Sequence, residues 1–389
     1  MVSQIESRHS QRLAALIGEE IRAAGGSIPF SRFMELALYA PGLGYYSAGA
    51  HKFGAGGDFV TAPELGGLFA ECIAEALAPV LRQLGDGAQF LEIGGGSGRF
   101  AAAVLPFLET LGALPARYAV LEPSADLRQR QKILLQESLS PALNARVIWL
   151  DGPPDTEWDG VVFANEVIDA LPATRFAIAR SAVMEEHVCL SADHRFHFTL
   201  RPADPWVSAA VRQVEQQLDA PLADGFHSEL LPQLPYWLQA VTGPLQRGAL
   251  LLIDYGYPRR EYYHRQRHEG TLRAFYRHQV SDDVLARVGL QDLTASVDFT
   301  ALAEAGVAAG FEFQGYCTQA SFLLGNRLAS RLAVHEARAA TEVQRLTLRQ
   351  EVKQLTLPSE MGERFQVMGF ARAVDFSPAF ACGDLSHRL

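Results

Sequence analysis

Between residues 89 and 164 the chain alternates short apolar runs with helical stretches, and that alternation leaves few architectures open. Gln89–Ile93, Arg117–Leu121, Arg146–Leu150 and Gly160–Ala164 read as buried strands. Ser97–Leu111 and Ala125–Glu137 read as the helices between them. Strands covered on both faces are near-continuous apolar runs, and repeated strand–helix–strand units of this length close into a parallel sheet. Gly248–Asp254 supplies a fifth parallel strand. The expected class is therefore α/β, with a doubly wound, mainly parallel sheet.

The flanking segments carry other signals. Residues 8–24 place Leu13, Leu16, Ile17 and Ile21 on one helical face, and Gly25-Gly26 ends that helix. Ser31 is expected to cap a short helix over Arg32–Tyr39, stopped by Pro41-Gly42. Glycines crowd residues 42–63 without periodicity, which points to a functional loop. Leu65–Leu84 reads as a helix. Residues 175–201 alternate as antiparallel strands outside the main sheet, 311–317 with 319–324 suggest a closing hairpin, and 327–354 suggest an exposed helix. The resulting division is 1–86 (N-terminal helices and a Gly-rich lid), 87–174 (first half of the core), 175–247 (inserted strands and helices), 248–326 (second half of the core, with an insertion over 255–310) and 327–389 (C-terminal helix and tail).

Composition narrows the partners. A formal net charge of −10 disfavours a phosphate backbone and weakly favours a cationic substrate. No charge-free apolar stretch reaches the roughly 18–20 residues of a membrane span. Cys72, Cys189, Cys317 and Cys382 are scattered, and His264, His268 and His278 fit no ligand spacing, so no metal site is expected. Dispersed thiols and an acidic, non-secretory start make the cytoplasm the expected compartment.

The stretch from Phe90 through Gly98 carries the chemistry. A strand ends in Glu92, and Gly94, Gly96 and Gly98 lead into a helix. A dinucleotide fingerprint spaces its glycines G-x-G-x-x-G to seat a pyrophosphate, whereas this loop is G-x-G-x-G behind an acid. A carboxylate there repels a diphosphate and suits the ammonium and sulfonium of S-adenosyl-L-methionine. Glu122, ending the second strand, is placed to accept ribose hydroxyls, although a helix N-terminus would also welcome an acid there. Asp151, at the end of the third strand, is a candidate for the adenine amino group, or else part of an ordinary turn.

Six ordered stretches together resemble the MidA-type methyltransferases, the family of the mitochondrial complex I assembly factor 7. They are Gly57–Glu64, Glu92–Gly98, Asn165–Pro172, Ile253–Tyr257, Gly270–Tyr276 and Asp292–Phe299, within a likeness running from about Pro29 to Phe370. Gly95 departs from the family, which often has Pro there. The resemblance implies a seven-stranded methyltransferase core with an N-terminal helical extension and inserted accessory segments, S-adenosyl-L-methionine as cofactor, and a protein arginine as the acceptor of the mitochondrial member.

An arginine acceptor is a poor nucleophile because its guanidinium stays protonated, and paired carboxylates answer this by gripping the planar fork. Glu166 and Asp169 follow the fourth strand, where methyltransferases of this fold keep their acceptor residues, and would share a face if helical. They are the candidate catalytic pair, with Asn165 orienting the cofactor or substrate. The same acids also suit an amine acceptor or a helix N-terminus. The Gly57–Glu64 stretch reads as a lid in which Thr61 contacts the cofactor and Asp58 the substrate. Tyr255, after the fifth strand, is a candidate for the substrate channel. The expected partner is a protein substrate. The alternatives are a methyltransferase-fold assembly protein with little catalysis and a methyltransferase of a small molecule.

Overall fold

A computed structural model describes residues 4–48, 61–277 and 279–389. The chain folds as two compact units. The core unit gathers the described parts of Val60–Val167 with Leu234–Gly256 and Phe299–Leu389, and the second unit gathers those of Met1–Phe59, Ile168–Gln233 and Tyr257–Asp298. The helices Gln4–Ala23 and Phe30–Tyr39 lie in the second unit, whereas Leu68–Leu84 lies in the core unit.

In the core unit the main strands are β1 (Gln89–Ile93), β2 (Arg117–Leu121), β3 (Val147–Leu150), β4 (Trp158–Asn165), β5 (Leu245–Tyr257), β6 (Glu312–Thr318) and β7 (Phe365–Arg372). They lie in the order β6-β7-β5-β4-β1-β2-β3. The pairs β5–β4, β4–β1, β1–β2 and β2–β3 are parallel, while β7 runs antiparallel to both β5 and β6. The sheet order reverses between β1 and β4, and both strands send their C-terminal ends to the same edge, where open α/β sheets bind ligands. Phe90, Phe100, Tyr118 and Phe163 are almost wholly buried. Phe100 stacks on Phe163 at 4.3 Å and Phe90 on Tyr118 at 4.8 Å, tying the helix Arg99–Thr110 to the strands that flank the glycine turn.

Several local expectations are corrected. No hairpin closes over 311–324: β6 is followed by a helix, Gln319–Gly325, and pairs instead with β7, from the stretch read as C-terminal tail. The helix expected over 327–354 is two, Leu328–Arg338 and Glu342–Thr356, separated by a capping box in which the Thr341 hydroxyl accepts from Gln344 N at 3.2 Å. The second is not merely solvated, because its Glu351 is buried and accepts from Leu68 N at 2.8 Å. That bond caps Leu68–Leu84, which is separated from the short helix Ala62–Leu65 by Gly66-Gly67. A Cβ on Gly66 would meet the Glu351 carboxylate, so a side chain there would have to displace that cap. Ser31 caps nothing: that helix is Phe30–Tyr39, with Pro29 at its N-cap.

The second unit holds a sheet in the order Ser27–Pro29, Ala182–Leu190, Thr174–Ala179, His227–Leu230, with Phe196–Pro202 also paired to Ala182–Leu190. A smaller sheet joins Gln279–Ser281, Arg273–Tyr276 and Asp292–Thr294. Gly270, at φ +80°, lies against Glu229, whose carboxylate accepts from Thr271 N at 2.8 Å. Among the described residues no helix is long and apolar enough to cross a membrane.

Candidate cofactor and acceptor site

The glycine turn after β1 has the conformation its sequence demands. Gly94, Gly96 and Gly98 sit at φ 68°, 52° and 89°, the left-handed region where a side chain is strained. A Cβ on Gly94 would also come within 2.8 Å of Val167 Cγ2. Gly94 N donates to Leu121 O at 3.0 Å, fastening the turn to the end of β2.

Glu92 is 3% exposed and accepts from the Tyr118 hydroxyl at 2.8 Å. Burial pushes its carboxyl up to about 7, the Tyr118 bond pulls it down, and the nearby Glu122 charge adds to the rise. Glu122 is also buried, and its Oε1 accepts from Ser124 N at 2.9 Å. A residue that sequence reasoning missed joins these parts. Gln131 donates from Nε2 to Gly96 O at 3.0 Å and to Glu122 Oε2 at 3.4 Å, and accepts from Trp149 Nε1 at 2.8 Å. One buried amide therefore braces both the glycine turn and the acid after β2. Only its place on the inner face of Ala125–Ser138 hinted at this.

Asp151 has a side chain 99% exposed and pairs with Arg128 Nη1 at 2.6 Å. Arg128 also donates to Leu150 O at 2.6 Å and to Glu122 O. Thr61 is the N-cap of Ala62–Leu65 without a side-chain capping bond. Glu64, three residues on, accepts from the Ser97 hydroxyl and pairs with Arg99 Nε at 2.9 Å, so this motif is fastened directly to the glycine turn. Asp58 and the rest of the expected lid before Thr61 lie outside the described residues, as does His278.

After β4, Asn165 donates from Nδ2 to Glu166 Oε1 at 2.9 Å, and Glu166 N donates to Ile253 O at 2.9 Å. Glu166 sits at φ 55°, a conformation costly for a non-glycine residue that tends to mark functional positions. Asn165 Oδ1 is buried with no hydrogen-bond partner. The buried Asp254, also missed, bridges the ends of β4 and β5 by accepting from Val167 N at 3.2 Å and Tyr255 N at 2.9 Å. Tyr255 packs edge-on against Phe365 at 5.6 Å. The helical pairing considered for Glu166 and Asp169 does not form, because 166–169 is a bend leading into a turn. The chain passes from the core unit to the second unit between Val167 and Ile168, which leaves Asp169 in the latter.

Comparison with known proteins gives this geometry a context. Residues 72–317 match the family of S-adenosyl-L-methionine-dependent methyltransferases. A Burkholderia thailandensis protein crystallised with S-adenosyl-homocysteine is 41% identical, with a TM-score of 0.92 over 100% of this chain and 99% of that one. The protein arginine methyltransferase NDUFAF7, mitochondrial, of Danio rerio is 28% identical over 88% of this chain and 83% of its own length. The Drosophila melanogaster homologue of that enzyme is 26% identical over 94% and 86%. With the left-handed glycine turn and the two buried acids together in the core unit, and the family match running over residues 72–317, the chain belongs to the MidA-type S-adenosyl-L-methionine-dependent methyltransferases and takes S-adenosyl-L-methionine as its cofactor.

Proposed function

We propose that this methyltransferase acts on a guanidinium nitrogen of an arginine side chain in a protein, with Glu166 as its principal acceptor carboxylate. The observation that carries the assignment is the Asn165–Glu166 pair: a glutamate held in a strained conformation by Ile253 O and an asparagine, beside a buried carbonyl oxygen with no hydrogen-bond partner. Support for arginine comes from the names of the curated relatives and from the acidic balance of the chain.

The residues present fit the cofactor. The left-handed glycines allow a close backbone approach, Glu122 offers carboxylate oxygens to ribose hydroxyls, and Glu92 offers negative charge behind the turn. In this reading Gly94, Gly96, Gly98, Asn165 and Thr61 line the cofactor, Asp151 approaches the adenine amino group, and Asp58 and Tyr255 serve the substrate. S-adenosyl-L-methionine supplies a methyl group activated by its sulfonium. The protein's part is to align the acceptor and to hold its charge. Glu166 accepts from the guanidinium fork and draws positive charge away from the attacking nitrogen, while the other candidate carboxylate, Asp169, belongs to the second unit. We read β1–β7 as the doubly wound, seven-stranded core of this enzyme class, and the four free thiols as fitting a cytoplasmic protein.

The test uses isotopically labelled cofactor, a cell lysate and mass spectrometry of the labelled proteins. Label on arginine, falling about 100-fold with Glu166→Gln while cofactor affinity holds, is the expected result. Label only on RNA or a small molecule would defeat the proposal.

A further inference from the structure

Acids surround the glycine turn of the core unit. Glu92 lies behind it, Glu122 stands at the end of β2, and Glu64 reaches it from Ala62–Leu65. That set suits the ammonium and sulfonium of S-adenosyl-L-methionine. The cofactor carries a third charge, the carboxylate of its methionine part, which the same acids would repel. Arg128 is committed elsewhere: its guanidinium donates to Glu122 O, to Leu150 O at 2.6 Å and to Asp151 Oδ1 at 2.6 Å.

Arg99 is placed to meet that third charge. It follows Gly98 directly and opens the helix Arg99–Thr110. Its side chain is 59% exposed and pairs through Nε with Glu64 Oε2 at 2.9 Å, its one side-chain bond among the described residues. Nη1 and Nη2, the end-on fork that matches a carboxylate, stay available. Glu64 is held firmly, with its side chain 7% exposed and its other oxygen accepting from the Ser97 hydroxyl. A buried, doubly bonded partner fixes a guanidinium in a way that a loose surface pair does not. A cation in the first turn of a helix also opposes the helix dipole, and this helix has no acid of its own there, so Glu64 offsets that cost from another segment.

The direction agrees with the cofactor's length. Phe100 stacks on Phe163 of β4 at 4.3 Å, so the first turn of this helix leans toward β4, whereas Glu122 ends β2 on the far side of β1. With the ribose at Glu122, the methionine part runs toward Arg99. We propose that Arg99 binds the methionine carboxylate of S-adenosyl-L-methionine through Nη1 and Nη2, with Glu64 as the residue that positions the guanidinium, and that this pair makes the enzyme selective for the carboxylated cofactor. The proposal goes beyond the acceptor assignment and is read without any acceptor present.

The test is calorimetric binding of S-adenosyl-L-methionine and of its decarboxylated analogue to the full-length protein. Wild type should prefer the carboxylated cofactor by about 10-fold. Arg99→Met should weaken S-adenosyl-L-methionine about 10-fold and leave the analogue within about 2-fold, so that the preference collapses. If Arg99→Met does not fold, Arg99→Lys, which keeps the charge without the fork, decides by the same ratio. Glu64→Gln retains an acceptor for Ser97 and should weaken S-adenosyl-L-methionine about 3-fold with the analogue unchanged. Equal binding of both ligands by wild type, or an undiminished preference in the Arg99 variant, would overturn the proposal. Equal loss of both ligands in Glu64→Gln would overturn the positioning role of Glu64.

Discussion

Replacing Glu92 with Gln should make the core unit more stable at neutral pH and its grip on the cofactor weaker. The buried carboxyl is raised from 4.5 to about 7 in the folded protein, chiefly by burial. Below pH 4.5 it is protonated in both folded and unfolded chains and costs nothing extra. As pH rises between the two values the unfolded chain releases the proton and the folded one retains it, so stability falls. Above the folded value the full penalty applies. At roughly 1.36 kcal/mol per pH unit, the gap between 4.5 and about 7 corresponds to about 3 kcal/mol. Glutamine keeps an oxygen to accept from Tyr118 and carries no charge to bury. Urea unfolding of wild type and Glu92→Gln at pH 5 and pH 8 should therefore show a small difference at pH 5 and a gain approaching that figure for the variant at pH 8. Calorimetry at pH 8 should show weaker cofactor binding, since the variant has lost the negative charge behind the glycine turn. Parallel stability curves across this range would refute the claim that burial of this carboxylate is destabilising. Unchanged cofactor affinity would refute its role in the site.

Two further substitutions test the supports of the site. Gln131→Ala removes the amide that ties Gly96 to Glu122 and Trp149, and should weaken cofactor binding by about 10-fold in a titration while leaving the circular dichroism spectrum intact. Glu351→Ala removes the buried cap of Leu68–Leu84, leaves the Leu68 N–H without its acceptor, and should cost about 1–2 kcal/mol in denaturant unfolding.

Much of the core was legible because its signal is local. Gln89–Ile93 and Arg117–Leu121 fold over the expected bounds: buried parallel strands are continuous apolar runs, and the glycine turn announces itself. β7 escaped notice because a short apolar run has no period that separates strand from helix, and its partners β5 and β6 are far away in sequence. The same ambiguity made Gln319–Gly325 look like half a hairpin. Within the site, Glu92 and Glu122 stand at strand ends where sequence logic looks for acids, and both are buried there. Gln131 and Asp254 act through bonds to residues distant in sequence, and Tyr46 meets Asp292 only because the chain returns to the second unit after passing through the core. Such pairings arise from topology, and no spacing rule encodes them.

The position of β7 has a bearing on synthesis. A ribosome that has released the chain only as far as Thr318 presents β5 and β6 with no strand between them, each with an open edge of backbone donors and acceptors. The sheet is completed when Phe365–Arg372 emerges and slots between them, so the nascent protein passes through a stage that invites intermolecular strand pairing. Truncations upstream of Phe365 should therefore aggregate rather than yield a smaller working enzyme.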